Sequence, residues 1–295
     1  MEELESAVAD RILRRRQRRR RRGGLVGVVV AIAVATGAFG LTRHHASPPP
    51  EPTPPVPFRV IFPEGFTREQ MAERVAKVAA IANSEGRGVV HLSAAGYLAA
   101  SRNIVVPCVG KKRQSNLEGF LYPATYDFLA ATTNRQLVHA QIKAFCAVWE
   151  RLDLKYARTK NLTSYDVLRI ASMIEREAAA PVERPLVSAV IYNRLHLRMP
   201  LGIDATLRYG LNIAPTQSIL QSQLESSNPF NTRRFAGLPP TPIASPGLAS
   251  IEAAAHPAKV NYIYYARKPG TNRQFFTASQ AAFNQFLAAN GYGAH

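Results

Sequence analysis

From residue 58 onward the apolar positions fall into helical and strand-like stretches. Phe58 to Phe62 (FRVIF) reads as a strand. Thr67 with Gln70 forms a T-x-x-Q capping box, and the helix behind it sets Met71, Val75, Val78, Ala79 and Ala82 on one face. Ser93 predicts the cap of a short helix ending near Ser101, and Ile104 to Val109 a second short strand. Thr133 with Gln136 opens a helix on which Val138, Ile142, Phe145 and Trp149 repeat with helical spacing. Thr163 with Asp166 opens the next, over SYDVLRIASMIEREAAA. Further helices are expected over about Val182 to Leu197, Gly247 to Ala255 and Ser279 to Ala289, with strands at Tyr262 to Ala266 and Gln274 to Thr277. Helices and short strands without a regular βαβ alternation predict an α+β fold. No internal repeat is visible.

The first third carries a different pattern. Gly23 to Thr42 is a run of 20 residues without a charge, GGLVGVVVAIAVATGAFGLT. As a helix it would be about 30 Å long, the thickness of a bilayer's hydrocarbon core. Arg14 to Arg22 (RRRQRRRRR) stand before it and only Arg43 directly behind, so the positive-inside rule puts residues 1–22 in the cytoplasm and the rest outside. The length favours a transmembrane anchor at 23–42 in the plasma (inner) membrane. A cleaved signal peptide, using the small residues at Ala33 to Ala38, is the alternative. Residues 43–57 then form a linker. Its SPPPEPTPPVP segment has seven prolines in eleven positions, which favours a stiff polyproline II spacer roughly 35 Å long.

Charge changes the picture less than its size suggests. The 295 residues carry 37 basic and 20 acidic side chains, a net +17, but nine Arg and four acids in residues 1–22 account for +5 of it. Topology explains that tract. Nucleic-acid binding would call for stacking aromatics among the arginines, and Arg11 to Arg22 contains none, so no nucleic-acid partner is expected. Cys108 and Cys146 are too few for a disulfide framework and are not spaced as zinc ligands; they either pair with each other or stay as buried thiols. The chain has no G-x-S-x-G, no G-x-x-x-x-G-K and no H-E-x-x-H, and its histidines are scattered. Neither a metal nor a cofactor is expected.

Carboxylates remain, and Glu175 and Glu177 stand out in an Ala-rich, apolar helix. Two residues apart on a helix means about 200° apart, so they cannot share one site. Glu175 follows the stripe of Leu168 and Ala171, beside Val167 and Ile174. Burial there favours the protonated form, the condition for a general acid. The alternative is a structural ion pair with Arg176, Arg184 or Arg194.

Separated blocks then resemble the MltG/YceG-like endolytic murein transglycosylases. They are LEGFLYPATYDF (117–128), ASMIEREAAAPVER (171–184), YNRLHLRMPLGIDATLRYG (192–210), NPFNTRRFAGLPPTPIASPG (228–247) and AAAHPAKVNYIYY (253–265). With RVIFPEGFTREQMAERV (59–75) the likeness covers nearly everything from Phe58 onward. It implies a small α+β subdomain at 58–130 and a catalytic YceG-like domain at 131–295, outside the membrane. The family's catalytic glutamate is the first Glu of the block matched by MIEREAAA, which falls on Glu175.

The implied reaction cleaves the bond between N-acetylmuramic acid and N-acetylglucosamine within nascent strands. It leaves a 1,6-anhydro-muramyl end and would terminate strand elongation. The muramyl C6 hydroxyl is the nucleophile, so one glutamic acid serves as acid and then base, unlike hydrolases with paired carboxylates. No obvious acidic partner for Glu175 is visible in the sequence, in keeping with that mechanism. Glu118 and Tyr122, Asp204, Thr206 and Tyr209, and Asn231 are expected along the substrate cleft; for Glu118 the alternative is a turn residue packed near a core Phe. Glu177, Asn193 and Arg194 are expected to support the site from behind, Asn193 buried and hydrogen-bonded.

Four departures from the family pattern are visible. The LysM-like module usual before this unit has no room between the linker and Phe58. Gly202-Ile203 replace Gln-Thr, Phe230 replaces a Tyr, and Arg233 stands where an aromatic is common. The expected partners are peptidoglycan strands and peptidoglycan synthases. The competing class is a catalytically idle wall-binding or division scaffold; the intact block around Glu175 favours the enzyme.

Overall fold

The computed structural model describes residues 56–86 and 88–292. The expected span at 23–42 and the basic tail lie outside them, and no helix among the described residues is long and apolar enough to cross a membrane. Strand β1 (Phe58–Ile61) leads into α1 (Arg68–Ser84), α2 (Ala94–Ala100) and the hairpin β2 (Arg102–Val105) and β3 (Arg113–Asn116). Strand β4 (Thr125–Phe128) returns antiparallel to β1, with Phe58 opposite Phe128 and Ile61 opposite Thr125. Helices α3 (Asn134–Trp149), α4 (Lys155–Thr159), α5 (Ser164–Glu177), α6 (Arg184–His196), α7 (Asp204–Leu211), α8 (Gln221–Leu224) and α9 (Leu248–Ala255) follow. The hairpin β5 (Tyr264–Arg267) and β6 (Gln274–Thr277) and helix α10 (Gln280–Ala289) complete a mixed α+β architecture.

Local chemistry explains where the long helices start. Thr67 with Gln70, Thr133 with Gln136 and Thr163 with Asp166 each form the reciprocal capping box that the sequence predicts. Shorter elements differ. The strand expected at Ile104 to Val109 forms at Arg102–Val105, and β3, β4, α4, α7 and α8 are additional. Strand β3 (RQSN) buries no residue fully, so its pairing with β2 leaves no apolar alternation to read.

Helix α5 is the centre of the core. Its Val167, Leu168, Ile170, Ala171, Met173 and Ile174 are fully buried, the larger ones each worth roughly 1.5 to 3 kcal/mol of apolar transfer. Helix α9 lies across α5, where the small Ala253 and Ala254 allow close approach, and α6 packs against both. Aromatic contacts cross the boundary expected at residue 130: Phe120 meets Phe145 edge-on at 5.4 Å and stacks on Tyr165 at 5.9 Å. Cys108 and Cys146 are bridged, their Cα atoms 5.4 Å apart, which ties the β2–β3 loop to α3.

Candidate active site

Glu175 sits in the last turn of α5, on the flank that faces the start of α9. Its side chain is 7% exposed. One carboxylate oxygen accepts the N–H of Gly247, the residue that caps α9, at 3.0 Å. The other lies 3.9 Å from the Arg184 guanidinium, an ion-pair contact longer than a hydrogen bond. Arg184, at the first position of α6, also donates to Ser250 Oγ at 3.0 Å. Of the three arginines weighed for Glu175, Arg184 is the partner. Arg176 instead donates to the Gly65 carbonyl at 3.3 Å, and Arg194 to the Ile263 and Leu201 carbonyls, each at 2.6 Å.

A second carboxylate reaches this place from the loop between β1 and α1. Gly65 N–H donates to the Ser245 carbonyl at 2.9 Å and Ser245 N–H to the Phe66 carbonyl at 2.8 Å, which clamps the loop to the segment preceding α9. Two glycines then permit close approach. Gly65, at φ +78°, would bring a Cβ to 3.6 Å from Glu175 Cγ, and a Cβ on Gly247 would fall inside the Glu64 carboxylate. Burial raises the proton affinity of Glu64, the charge of Glu175 raises it further, and Arg184 opposes both. The Tyr122 hydroxyl is raised by burial and by Glu64 and Glu252, which places Tyr122 on the same side of the molecule. Sequence reasoning left Glu175 without an acidic partner; Glu64 corrects that. The available signal was the Pro63-Glu64-Gly65 turn within an already recognised block.

Glu177 occupies other surroundings, as its spacing from Glu175 demands. Its carboxylate accepts the Tyr265 hydroxyl at 3.0 Å and also the Ala205 N–H. Burial pushes the carboxyl up to about 7 against these two bonds, with Asp204 adding to the rise and Arg233 opposing it. Asn193 donates to the Val260 and Tyr262 carbonyls at 3.0 and 2.8 Å, so it ties α6 to the segment before β5.

Several residues expected along the cleft lie elsewhere. Glu118 is 1% exposed and receives the Arg68 N–H on both oxygens, at 3.2 and 3.1 Å, and the Tyr209 hydroxyl at 3.1 Å. It therefore anchors the first turn of α1, and Tyr209 points its hydroxyl inward to it. Thr206 is buried against Thr232 (Oγ1 to Oγ1, 2.9 Å) and donates to the Ile203 carbonyl at 2.7 Å. Asn231 is buried too, donating to the Leu224 and Ser226 carbonyls at 2.8 Å each. Glu118, Tyr209, Thr206 and Asn231 thus all hydrogen-bond to the protein's own backbone or side chains. Asp204 remains half-exposed and pairs with Arg233 at 2.6 Å.

The departures acquire local reasons. Arg233 supplies the charge opposite Asp204, Phe230 packs on Tyr209 at 5.1 Å between ring centres, and Ile203 fills the core.

Comparison with known proteins fits this arrangement. An endolytic murein transglycosylase of Streptococcus pneumoniae (strain ATCC BAA-255 / R6) is 29% identical over 257 residues, covering 81% of this chain and 45% of the relative. One of Bacillus subtilis (strain 168) is 37% identical over 153 residues, covering 52% of this chain and 42% of the relative. The chain thus spans less than half the length of these curated relatives. The crystal structure of a yceG-like protein from Listeria monocytogenes superposes with a TM-score of 0.63 at 27% identity, covering 78% of this chain and 76% of that one. The model of the YceG-like family matches residues 45–289, and the chain belongs to that family.

Proposed function

We propose that the chain is a membrane-anchored endolytic lytic transglycosylase that cleaves the MurNAc–GlcNAc bond within nascent peptidoglycan strands. The observation that carries this reading is the Glu175 carboxyl, held between the Gly247 N–H and Arg184 beside the exposed Glu64. In the proposed reaction the Glu175 carboxyl protonates the glycosidic oxygen as the bond to the muramyl C1 breaks. The muramyl C6 hydroxyl attacks C1, and the carboxylate takes the O6 proton, so the residue returns to its starting state and no water is consumed. Arg184 orients the carboxyl throughout. Tyr122 and the half-exposed Asp204 are the expected cleft residues that this reading still assigns to sugar contact. Anchoring through residues 23–42 would hold the site on the outer face of the plasma membrane, next to peptidoglycan synthases, where each cut ends the growth of a strand.

The second carboxylate favours a specific alternative. Glu64 beside Glu175 resembles the paired acids of hydrolases, with water in place of the C6 hydroxyl. Mass analysis of digested uncrosslinked strands separates the two. Anhydro-ended fragments, about 18 mass units lighter than hydrolysis products because no water is added, are expected. Glu175→Gln keeps the shape of the side chain and removes its exchangeable proton. Turnover should fall by about 10²- to 10⁴-fold, at the upper end because one residue supplies both proton transfers. Reducing-end products would make the protein a hydrolase, and an active Glu175→Gln protein would remove Glu175 from the chemistry.

A further inference from the structure

Resting on the reading of the chain as a glycan-cleaving enzyme, we infer that a depression away from Glu175 holds a further sugar residue of the same strand. It is about 570 Å³ in volume and lies between α4, the last turn of α6 and the segment before β5. Tyr156, Asn193, Lys259, Asn261 and Tyr262 line it. Packing fixes both rings. Tyr262 stacks on Phe276 at 6.0 Å, and Tyr156 meets Tyr192 edge-on at 5.2 Å with the Lys160 ammonium 5.7 Å from its ring centre. Asn193 is fixed as well. Its amide N–H groups go to the Val260 and Tyr262 carbonyls, which leaves Oδ1 as an acceptor to which no described residue donates. The Tyr156 and Tyr262 hydroxyls, the Asn261 amide and the Lys259 ammonium likewise hydrogen-bond to no described residue. Thr206 and Asn231 spend their polar atoms inside the protein, whereas these five residues keep such atoms for a ligand.

The groups match a pyranose. A sugar ring presents an apolar C–H face that an aromatic ring can cover, and its edge carries hydroxyl and acetamido groups that need donors and acceptors. An acetamido N–H suits the Asn193 Oδ1, and Lys259 and Asn261 can donate to sugar oxygens. No carboxylate lines the depression, and Lys259 is its only charged lining residue. A strip of chain joins it to the surroundings of Glu175. Arg184, 3.9 Å from the Glu175 carboxylate, lines a second depression of about 460 Å³ with Arg151, Glu252 and His256. Just beyond His256 the Ala258 N–H donates to the Pro185 carbonyl at 2.9 Å, and Asn193 holds the same segment at Val260 and Tyr262. Pro185 and Asn193 stand about 12 Å apart along the axis of α6. An enzyme that cuts inside a strand meets sugar residues on both sides of the scissile bond, so one side of the strand has this strip to lie on.

Dependence on strand length tests this. Tyr156→Ala combined with Asn261→Ala removes one ring and one hydrogen-bonding group, both from exposed positions. The test measures kcat and KM of the full chain on uncrosslinked glycan strands fractionated by length. The deficit of the double variant should be about tenfold greater on long strands than on fragments too short to span α6, and it should appear in KM, as for binding lost equally from the ground and transition states. A deficit independent of length would overturn the proposal, and so would none at all. A measurement independent of cleavage accompanies this: calorimetric binding of long strands to full-chain Glu175→Gln. Adding the double change, or Lys259→Ala alone, should weaken that binding by about 3- to 10-fold. Lys259→Ala keeps the test open should the double variant fail to fold, because its ammonium bonds to no described residue. Unchanged affinity overturns the proposal whatever the kinetics. Binding that depends on these residues, in a chain whose wild type cleaves no glycan, would instead leave the subsite standing and refute the proposed function.

Discussion

Glu118 and Glu175 are built alike and end up as different things. Each carboxylate accepts a main-chain N–H at the start of a helix, from Arg68 of α1 in one case and from Gly247 before α9 in the other. Around Glu118 the protein fills every approach: both oxygens take the Arg68 N–H, the Tyr209 hydroxyl closes one of them, and the residue is 1% exposed. Glu175 binds its N–H with one oxygen only, leaves the other to a distant guanidinium, and has exposed Glu64 and Arg176 as neighbours. Yet burial raises the Glu118 carboxyl to about 8 and that of Glu177 to about 7. Perturbed proton affinity marks burial first. A site requires, in addition, a carboxyl that a substrate can reach.

The sharpest way to break this comparison is to exchange the expected losses. Glu118→Ala leaves the Arg68 N–H and the Tyr209 hydroxyl buried without an acceptor, so it should destabilise the fold by about 3 to 5 kcal/mol in urea denaturation while sparing kcat in the molecules that remain folded. Glu175→Gln should do the reverse. Stability should also report Glu118 through pH. Its folded carboxyl, at about 8, lies above the ordinary 4.5, so the folded state binds the extra proton in between. The contribution is complete below about 4.5 and lost as pH rises through about 8, with Glu177 acting in the same direction up to about 7. Wild-type protein should therefore weaken by roughly a few kcal/mol across that window. Glu118→Gln should flatten the slope, and a slope unchanged in that variant would remove Glu118 as its source.

Next in size is the covalent tie. The Cys108–Cys146 bridge lies in the half of the molecule that contains Glu118 and closes a separation of 38 residues. Chain entropy for such a loop is worth up to about 4 kcal/mol, with 2 to 4 typical. Cys146→Ser should lower stability by that amount in thermal or urea unfolding. Turnover well below the melting temperature should stay within about twofold, because Glu175, Arg184 and Gly247 belong to the α5, α6 and α9 packing instead. A large loss of kcat at unchanged stability would show that the two regions are mechanically one.

How much of this was legible depended on how far apart the partners are in the chain. Capping boxes at Thr67, Thr133 and Thr163 were readable because each closes within three residues. The different surroundings of Glu175 and Glu177 followed from helical geometry alone. The role of Glu118 did not, since its donors stand 50 and 91 residues away, at Arg68 and Tyr209. Glu64 was hidden for the same reason: the 65 turn meets the end of α5 across 111 residues, as the Arg176 to Gly65 bond records. Thr206 and Asn231 failed differently. Thr206 lies in the first turn of the short α7 and Asn231 in an irregular segment, neither with enough apolar periodicity to say which way it faces, and both turn inward to satisfy carbonyls within seven residues of themselves.

The smallest effect probes the third carboxylate. Glu177 is held by the Tyr265 hydroxyl and the Ala205 N–H, so Tyr265→Phe removes one of its two donors and leaves the other. A hydrogen bond of this kind is worth about 1 kcal/mol net, and more when its acceptor is ionised. Because the folded Glu177 carboxyl loses its proton near 7, the loss should be modest at pH 5.5 and larger at pH 8, which urea titrations of the two proteins would resolve. Without the hydroxyl the carboxyl should hold its proton to higher pH still. If Glu177 is a closed carboxylate like Glu118, kcat on glycan strands should change by less than about twofold, since no proton in the reaction passes through it. A tenfold fall in kcat at unchanged stability would move Glu177 and Tyr265 into the open class with Glu175, and the division between carboxyls that hold the fold and carboxyls that meet the substrate would have to be redrawn along α5.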